Sequence, residues 1–426
     1  MKNHQLVVDI EGFRAIKKAE IILDGITVVA GENGCGKSTL SKLLYYLFKT
    51  ANEYEFNLVG VVKNELESIT FILDYILKNT AEKFPFQIEH NSTLEDYYSN
   101  ISKRIQALKR DFADRKNRGL SDTILLQRIA HTLNNNFKVE IDPFDAKLSI
   151  EYLLLQVEEL VVQKFEDFYA IRDKRPTLLF ERIFENSFGV GSTLKYLELK
   201  EFGIQIFSTE KEDIEYISTV RQAVYVDTPM MVGLERSKKN EHWNDLNEML
   251  SEVRGQSANG SLALIQHQIL SGEVVVENSI TERFLYKRND GKEFDLLNCA
   301  TGVKSFAILQ LLYKNGHLSD KTLLIIDEPE VHLHPQWIVE YARLMVLLNK
   351  ELGVKFFIAS HNPDMVSAIK YISEKEQTDG NLNYYLAEKE ENEFTYTYRH
   401  LGTEIDDIFG SFNIAFDRIN LYGTLE

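Results

Sequence analysis

The chain has 426 residues, more than one small core requires, so a large domain with insertions or two lobes is expected. Its net charge of −17, from 65 acidic and 48 basic residues, repels nucleic acid at long range and leaves such contact to a local basic patch or a partner. Two cysteines argue against a disulfide framework and suit the reducing cytoplasm, no apolar run is long enough to cross a bilayer, and the start MKNHQLVVDIEGF lacks the apolar block of a signal peptide.

In chain order, LVVDI, AEIIL and ITVVA read as strands joined by short charged turns. ITVVA is a continuous apolar run, as a buried central strand should be. It runs directly into GENGCGKST, after which Leu40, Leu43, Leu44, Leu47 and Phe48 have helical spacing. Residues 51–194 lose strand character; Leu66, Ile69, Ile72 and Ile76, then Leu148, Tyr152, Leu153 and Leu160, form apolar stripes of a helical insertion. Within it lies the basic cluster Lys103, Arg104, Lys109, Arg110, Arg115, Lys116 and Arg118, interrupted by Asp111 and Asp114. It reads either as a solvated helix face or as a nucleic-acid contact.

Strand-like text returns in YLELKEFGIQIFS and QAVYVDTP, and residues 232–268 look helical. RFLYKRNDGKEFDLL reads as a hairpin turning at Asp290-Gly291. Then come the helix FAILQLLY, the buried strand TLLIID, a helix from about Gln336 to Asn349 and the strand KFFIAS. NLNYYLAEKEENEFTYTYRHL reads as a last hairpin before an amphipathic helix around Glu404–Asn420. Strands alternating with helices imply an α/β fold with a mostly parallel sheet. The core is split, 1–50 with 195–400, around the insertion at 51–194; a further lobe is expected at about 230–320 and a terminal helix at 401–426.

Four segments carry chemistry. Gly31-Glu32-Asn33-Gly34-Cys35-Gly36-Lys37-Ser38 matches G-x-x-x-x-G-K-[ST] between a strand and a helix. Its glycines let backbone N–H groups face phosphates, Lys37 neutralises β/γ charge, and Ser38 offers a hydroxyl to Mg²⁺. Gly31, Asn33, Gly34, Gly36, Lys37, Ser38 and Thr39 are therefore the expected contacts of ATP. Cys35 reads as a tolerated small residue, with redox sensitivity as the alternative. Leu323–Pro329 is a buried strand ending in Asp327, expected beside the metal, and Glu328, placed to deprotonate the attacking water. Phe356–Asn362 ends a second such strand at His361, within reach of a γ-phosphate. Ala300–Ser305 (ATGVKS) opens a helix with a hydroxyl, a glycine and free amides, an anion site at Thr301 and Gly302 suited to a γ-phosphate held by another subunit.

Together these segments, with EPEVHLHPQ and SHNPDM, resemble the ABC-type P-loop ATPases of the RecF and SMC kind. The EPE-x-HLHP form is similar to the ATPase module of overcoming-lysogenization-defect proteins and the ATPase subunits of the Septu and PARIS anti-phage systems. The resemblance spans roughly 1–50 and 195–375 and implies an ABC-type P-loop NTPase fold with an antiparallel β lobe. It further implies that Lys37 and Ser38 bind Mg-ATP, Asp327 and Glu328 form the Walker B pair, and Thr301 and Gly302 act in trans. Glu330–His334 would be the D-loop and His361 the switch histidine, with two subunits sandwiching two ATP molecules. His332 and His334 also admit an H-x-H metal site. The signature is ATGVKS rather than LSGGQ, and Gln222 is only a weak Q-loop candidate. The implied function is the sensor or regulatory ATPase of a defence system with a separately encoded nuclease; the alternative is a RecF-like ATPase acting directly on DNA.

Overall fold

The computed structural model describes residues 4–78, 93–117, 123–137, 139–145, 147–189, 193–232, 241–254, 269–278, 282–391 and 393–410. The chain divides into two compact units, residues 1–52 with 177–426, and residues 53–176. Residues 177–194, which the sequence reading assigned to the insertion, fall in the first unit.

The strands of the first unit are β1 (Leu6–Phe13), β2 (Ile16–Ile22), β3 (Ile26–Ala30), β4 (Leu194–Glu201), β5 (Ile204–Ser208), β6 (Gln222–Val226), β7 (Gly272–Asn278), β8 (Glu282–Arg288), β9 (Glu293–Asp295), β10 (Thr322–Asp327), β11 (Lys355–Ser360), β12 (Leu382–Lys389) and β13 (Tyr396–Gly402). Ten of them form one sheet in the order β5-β4-β1-β2-β13-β12-β3-β11-β10-β6. The run β12-β3-β11-β10-β6 is parallel throughout, while β5-β4-β1-β2 is an antiparallel wing joined to it through β13. β3, β10 and β11 are buried at every residue, which is why their sequences are unbroken apolar runs. β7, β8 and β9 make a separate antiparallel sheet, with Asp290-Gly291 turning the β8–β9 hairpin as the sequence indicates. β7 was missed because it begins just beyond the stretch read as helix; its Val274-Val275-Val276 run was the available signal.

Helix α1 (Lys37–Asn52) follows β3, and α6 (Leu178–Phe188) packs against it. α7 (Glu241–Ser251) lies against β6; of the helical stretch expected over 232–268, residues 233–240 and 255–268 lie outside the described residues, and residues 252–254 are not helical. α8 (Thr301–Lys314), α9 (Pro335–Leu352) and α10 (Pro363–Glu376) build the core on one sheet face, where Phe306, Leu309, Tyr341, Met345 and Ile369 meet Val28, Ile326 and Ile358. α9 and α10 both start with proline at the first helical position, after His334 and Asn362 as N-caps. Strand alternation sends Tyr225 to the other face, where its ring meets Tyr45 of α1 at 5.9 Å. The expected C-terminal helix is described only to Gly410; the rest of it lies outside the described residues.

The second unit is helical: α2 (Tyr54–Lys78), α3 (Leu94–Asn117), α4 (Thr123–Phe137) and α5 (Ile150–Lys174). α2 packs on α3 and α5, and Leu66, Ile69, Leu73, Ile101, Ile105, Leu108, Leu153, Val157 and Val161 are buried there. Of the expected stripes Leu66, Ile69 and Leu153 are buried, Leu148 and Leu160 are half-buried, Tyr152 is exposed, and the side chains of Ile72 and Ile76 lie outside the described residues. Arg104 turns inward, its Nε 2.6 Å from Asp74, and Lys109 pairs with Glu158 at 2.9 Å. Two cations of the basic cluster are thus engaged within the unit; Arg118 lies outside the described residues. No described helix is long and apolar enough to cross a membrane.

Candidate active site

The parallel register brings the ends of four strands side by side: Ala30 beside Ser360, Ala359 beside Asp327, and Ile326 beside Val226. Everything the sequence assigns to phosphate chemistry within one chain, apart from the ATGVKS segment, leaves this edge.

From β3 the chain curls through Gly34 (φ 85°) and Gly36 (φ 98°), left-handed conformations that glycine adopts without penalty. A Cβ at Gly34 would meet nothing within 4 Å, so that face of the loop is open to a ligand. Lys37, 6% exposed, donates through Nζ to the carbonyls of Gly31 (2.8 Å) and Glu32 (3.0 Å), which centres its charge in the curl. Below the loop Cys35 is fully buried, its carbonyl accepting from the Tyr398 hydroxyl at 2.9 Å. Cys35 is therefore a packing residue of the loop floor.

Asp327 is buried at the end of β10. Its Oδ1 accepts from Ser41 Oγ at 2.5 Å and its Oδ2 from Tyr225 Oη at 2.9 Å, with Ser38 as a further hydroxyl donor. Burial pushes this carboxyl above the ordinary aspartate value; the three hydroxyls oppose the shift and nearby Asp227 adds to it. Burial and the Asp327 charge push the Tyr225 phenol far above its usual value, so it remains a donor. Sequence reading missed Ser41 and Tyr225. A serine inside the apolar stripe of α1 and a tyrosine near the end of β6 were the signals.

Glu328 follows with φ 46°, an uncommon conformation for a residue with a side chain, costing about 1–2 kcal/mol. Its N–H donates to Ala359 O at 2.8 Å, tying the loop to β11. His361 Nδ1 lies 3.3 Å from Glu328 Oε1, so the proposed base and the histidine meet although 33 residues separate them. Glu330, read as the start of the D-loop, is instead buried: its Oε1 accepts from Ser360 Oγ at 2.9 Å and from His361 N–H at 3.1 Å. His334 caps α9 through Nδ1. Among the described residues no group of three or more histidine, cysteine or acidic side chains is arranged to hold a metal by itself.

Gln222 sits at the wrong end of β6, paired with Thr322 at the start of β10, and its amide contacts Met249 and Arg254. The residue beside Asp327 at the phosphate edge is Asp227, whose Oδ2 meets His242 Nε2 at 3.0 Å. His242, which stands alone in sequence, is thus paired. The ATGVKS segment opens α8 with no side-chain cap on its first turn. Gly302 packs inward, where an added Cβ would come within 3.0 Å of the Trp337 ring and 3.2 Å of Leu333. Among the described residues no hydrogen bond joins Thr301 or Gly302 to the P-loop, Asp327, Glu328 or His361.

A family model for the AAA ATPase domain matches residues 7–366, which hold the P-loop, Asp327, Glu328 and His361. The chain belongs to that ATPase family. No curated protein matches it. Among solved structures it is similar to the Smc head domain of Pyrococcus furiosus bound to the C-terminal domain of ScpA (10% identity, TM-score 0.35, 97% of this chain and 98% of that one). It is likewise similar to the SMC head domain of Thermotoga maritima (11%, 0.35, 92% and 97%). A third match is CbiO1 of Clostridium perfringens, part of the ABC transporter complex CbiONQ (10%, 0.30, 99% and 100%).

The residues of this ATPase fit the groups such a domain handles. The loop offers amides and one ammonium to phosphates. Ser38 and Asp327 would supply the hard oxygen ligands that Mg²⁺ prefers, and the buried Asp227 Oδ1, which has no hydrogen-bond partner among the described residues, would add negative potential beside them.

Proposed function

We propose that this ATPase hydrolyses Mg-ATP in a site completed by a second copy of the chain. The convergence of Lys37, Asp327, Glu328 and His361 on one sheet edge carries the reading. Lys37 and the loop amides bind the β- and γ-phosphates; Ser38 and Asp327 hold Mg²⁺, which when bound neutralises charge on the phosphate oxygens. Glu328 takes the proton of the attacking water, and His361 steadies that carboxylate and faces the γ-phosphate. The uncapped start of α8, with Thr301, supports a trans-acting role, because amides left free at a helix N-terminus suit an oxyanion. The deciding experiment is the solution mass of Glu328→Gln with and without Mg-ATP. A nucleotide-dependent shift to a larger species, lost on adding Thr301→Arg, is the expected result. A monomer with ATP demonstrably bound rejects the shared site.

The biological setting we infer is a sensor or regulatory subunit of an anti-phage system with a separately encoded nuclease, supported by the EPEVHLHP and SHNPDM forms. Protection from phage in a plaque assay, requiring both Lys37 and a neighbouring nuclease gene, is expected. Protection that persists with Lys37→Ala rejects this role.

A further inference from the structure

Between β10 and α9 the chain makes a tight passage, with Glu328 and His332 both at positive φ. Within it Glu330 points inward and is 6% exposed. A buried carboxylate ordinarily has a lysine or arginine partner, or hydrogen bonds on both oxygens. Glu330 has neither. Its Oε1 takes the Ser360 hydroxyl at 2.9 Å and the His361 N–H at 3.1 Å, and lies 3.5 Å from His361 Nδ1. Among the described residues its Oε2 is buried without a hydrogen-bond partner. Burial pushes this carboxyl up; hydrogen bonds from backbone N–H groups and Ser360 oppose the shift, and the His361 ring, which also meets Glu328, opposes it further.

A glutamine of the same shape would satisfy the same two donors. What the acid adds is negative charge at the imidazole, in a place where burial makes that charge expensive. Ser360 also accepts from Asn362 N–H at 3.1 Å, and Asn362 caps α10, so the same contacts fix the chain as it leaves β11.

We propose that Glu330 is a positioning residue of ATP hydrolysis: it clamps the backbone and ring of His361 so that Nδ1 is held as a donor toward Glu328 and the other ring nitrogen faces the phosphate. The proposal rests on the ATPase reading above. Glu330 touches no substrate and acts through His361. The tautomer belongs to the proposal: with carboxylate oxygens of Glu328 and Glu330 3.3 Å and 3.5 Å from Nδ1, that nitrogen is the one whose proton the negative charge favours.

The test compares full-length Glu330→Gln and Glu330→Ala with the wild type and with Glu328→Gln. The readouts are kcat, KM, binding of a non-hydrolysable ATP analogue, thermal midpoint, and ¹⁵N shifts of the His361 imidazole in protein without nucleotide. Glu330→Gln is expected to lower kcat on the order of 10- to 100-fold, leave analogue binding within about threefold, and move the imidazole proton away from Nδ1. Its thermal midpoint should rise at neutral pH. An acid whose folded pKa is raised favours folding below its unfolded value, near 4.5, and loses that contribution as pH rises. The stabilisation in Glu330→Gln should therefore vanish in acid. A wild-type kcat with unmoved imidazole shifts overturns the proposal, and so does a loss of activity that merely follows a loss of stability and binding in both variants. Absence of ATP hydrolysis by the wild type overturns the underlying ATPase reading instead, and undiminished hydrolysis by Glu328→Gln, whatever happens at 330, overturns Glu328 as the base that the clamp serves.

Discussion

At Gly34 an added Cβ would meet no protein atom within 4 Å, whereas at Gly302 it would press on Trp337 at 3.0 Å. Both glycines lie at the entrance of a helix, one before α1 and one in the first turn of α8, and sequence gives them the same apparent role in phosphate binding. The structure separates them. Gly34 is left-handed and open, and its loop curls around Lys37, so its smallness leaves room for a ligand. Gly302 is buried in the first turn of a regular helix, and its smallness lets α8 approach α9 closely. A glycine beside a helix start is thus two different observations, told apart by what a methyl group would touch.

The largest expected effect tests the open loop: Lys37→Ala should reduce kcat/KM for ATP by ~10³-fold or more, because no other cation takes its place among the phosphates. Glu328→Gln should lower kcat by about 10²–10³-fold with nucleotide binding intact, since it removes only proton abstraction. The two glycines can then be set against each other directly. Gly302→Ala should destabilise the fold by about 1–3 kcal/mol through overpacking, seen in denaturant unfolding. Gly34→Ala should cost about 1–2 kcal/mol for its φ but weaken ATP-analogue binding more than Gly302→Ala does. If Gly302→Ala is fully stable yet cannot assemble with Mg-ATP, the comparison breaks and the glycine faces a nucleotide after all. The smallest effect is at Tyr225→Phe. Losing one donor to buried Asp327 should raise that carboxyl further and increase the Mg²⁺ needed for half-maximal activity, checked by titrating Mg²⁺ at two pH values.

The parallel centre was legible because β3, β10 and β11 are buried on both faces and so read as pure apolar runs. The P-loop, Asp327, Glu328 and His361 were legible because each directly follows such a run. What failed was whatever depends on register or on the inward turn of a side chain. Gln222 has the right chemistry at the wrong end of β6, and only pairing with β10 shows Asp227 to be the residue beside Asp327. Glu330 reads as one more loop acid, and nothing local signals that it folds under Ser360 and His361. Ser41 and Tyr225 were hidden for a related reason: a hydroxyl in an apolar stripe looks like tolerance until its partner, 286 or 102 residues away, is seen.

The place of β12 and β13 has a consequence in time. β12 is the second neighbour of β3, β13 joins β2 to the rest of the sheet, and the Tyr398 hydroxyl holds the P-loop carbonyl of Cys35. A chain emerging from the ribosome therefore exposes its phosphate loop long before β13 but cannot seat it until residue 402 has followed. Until then the wing β5-β4-β1-β2 can pair only within itself, and the flank of β3 that β12 covers is bare. Synthesis order thus delays a working nucleotide site until nearly the whole described chain exists, and a nascent fragment cannot act as the finished ATPase does.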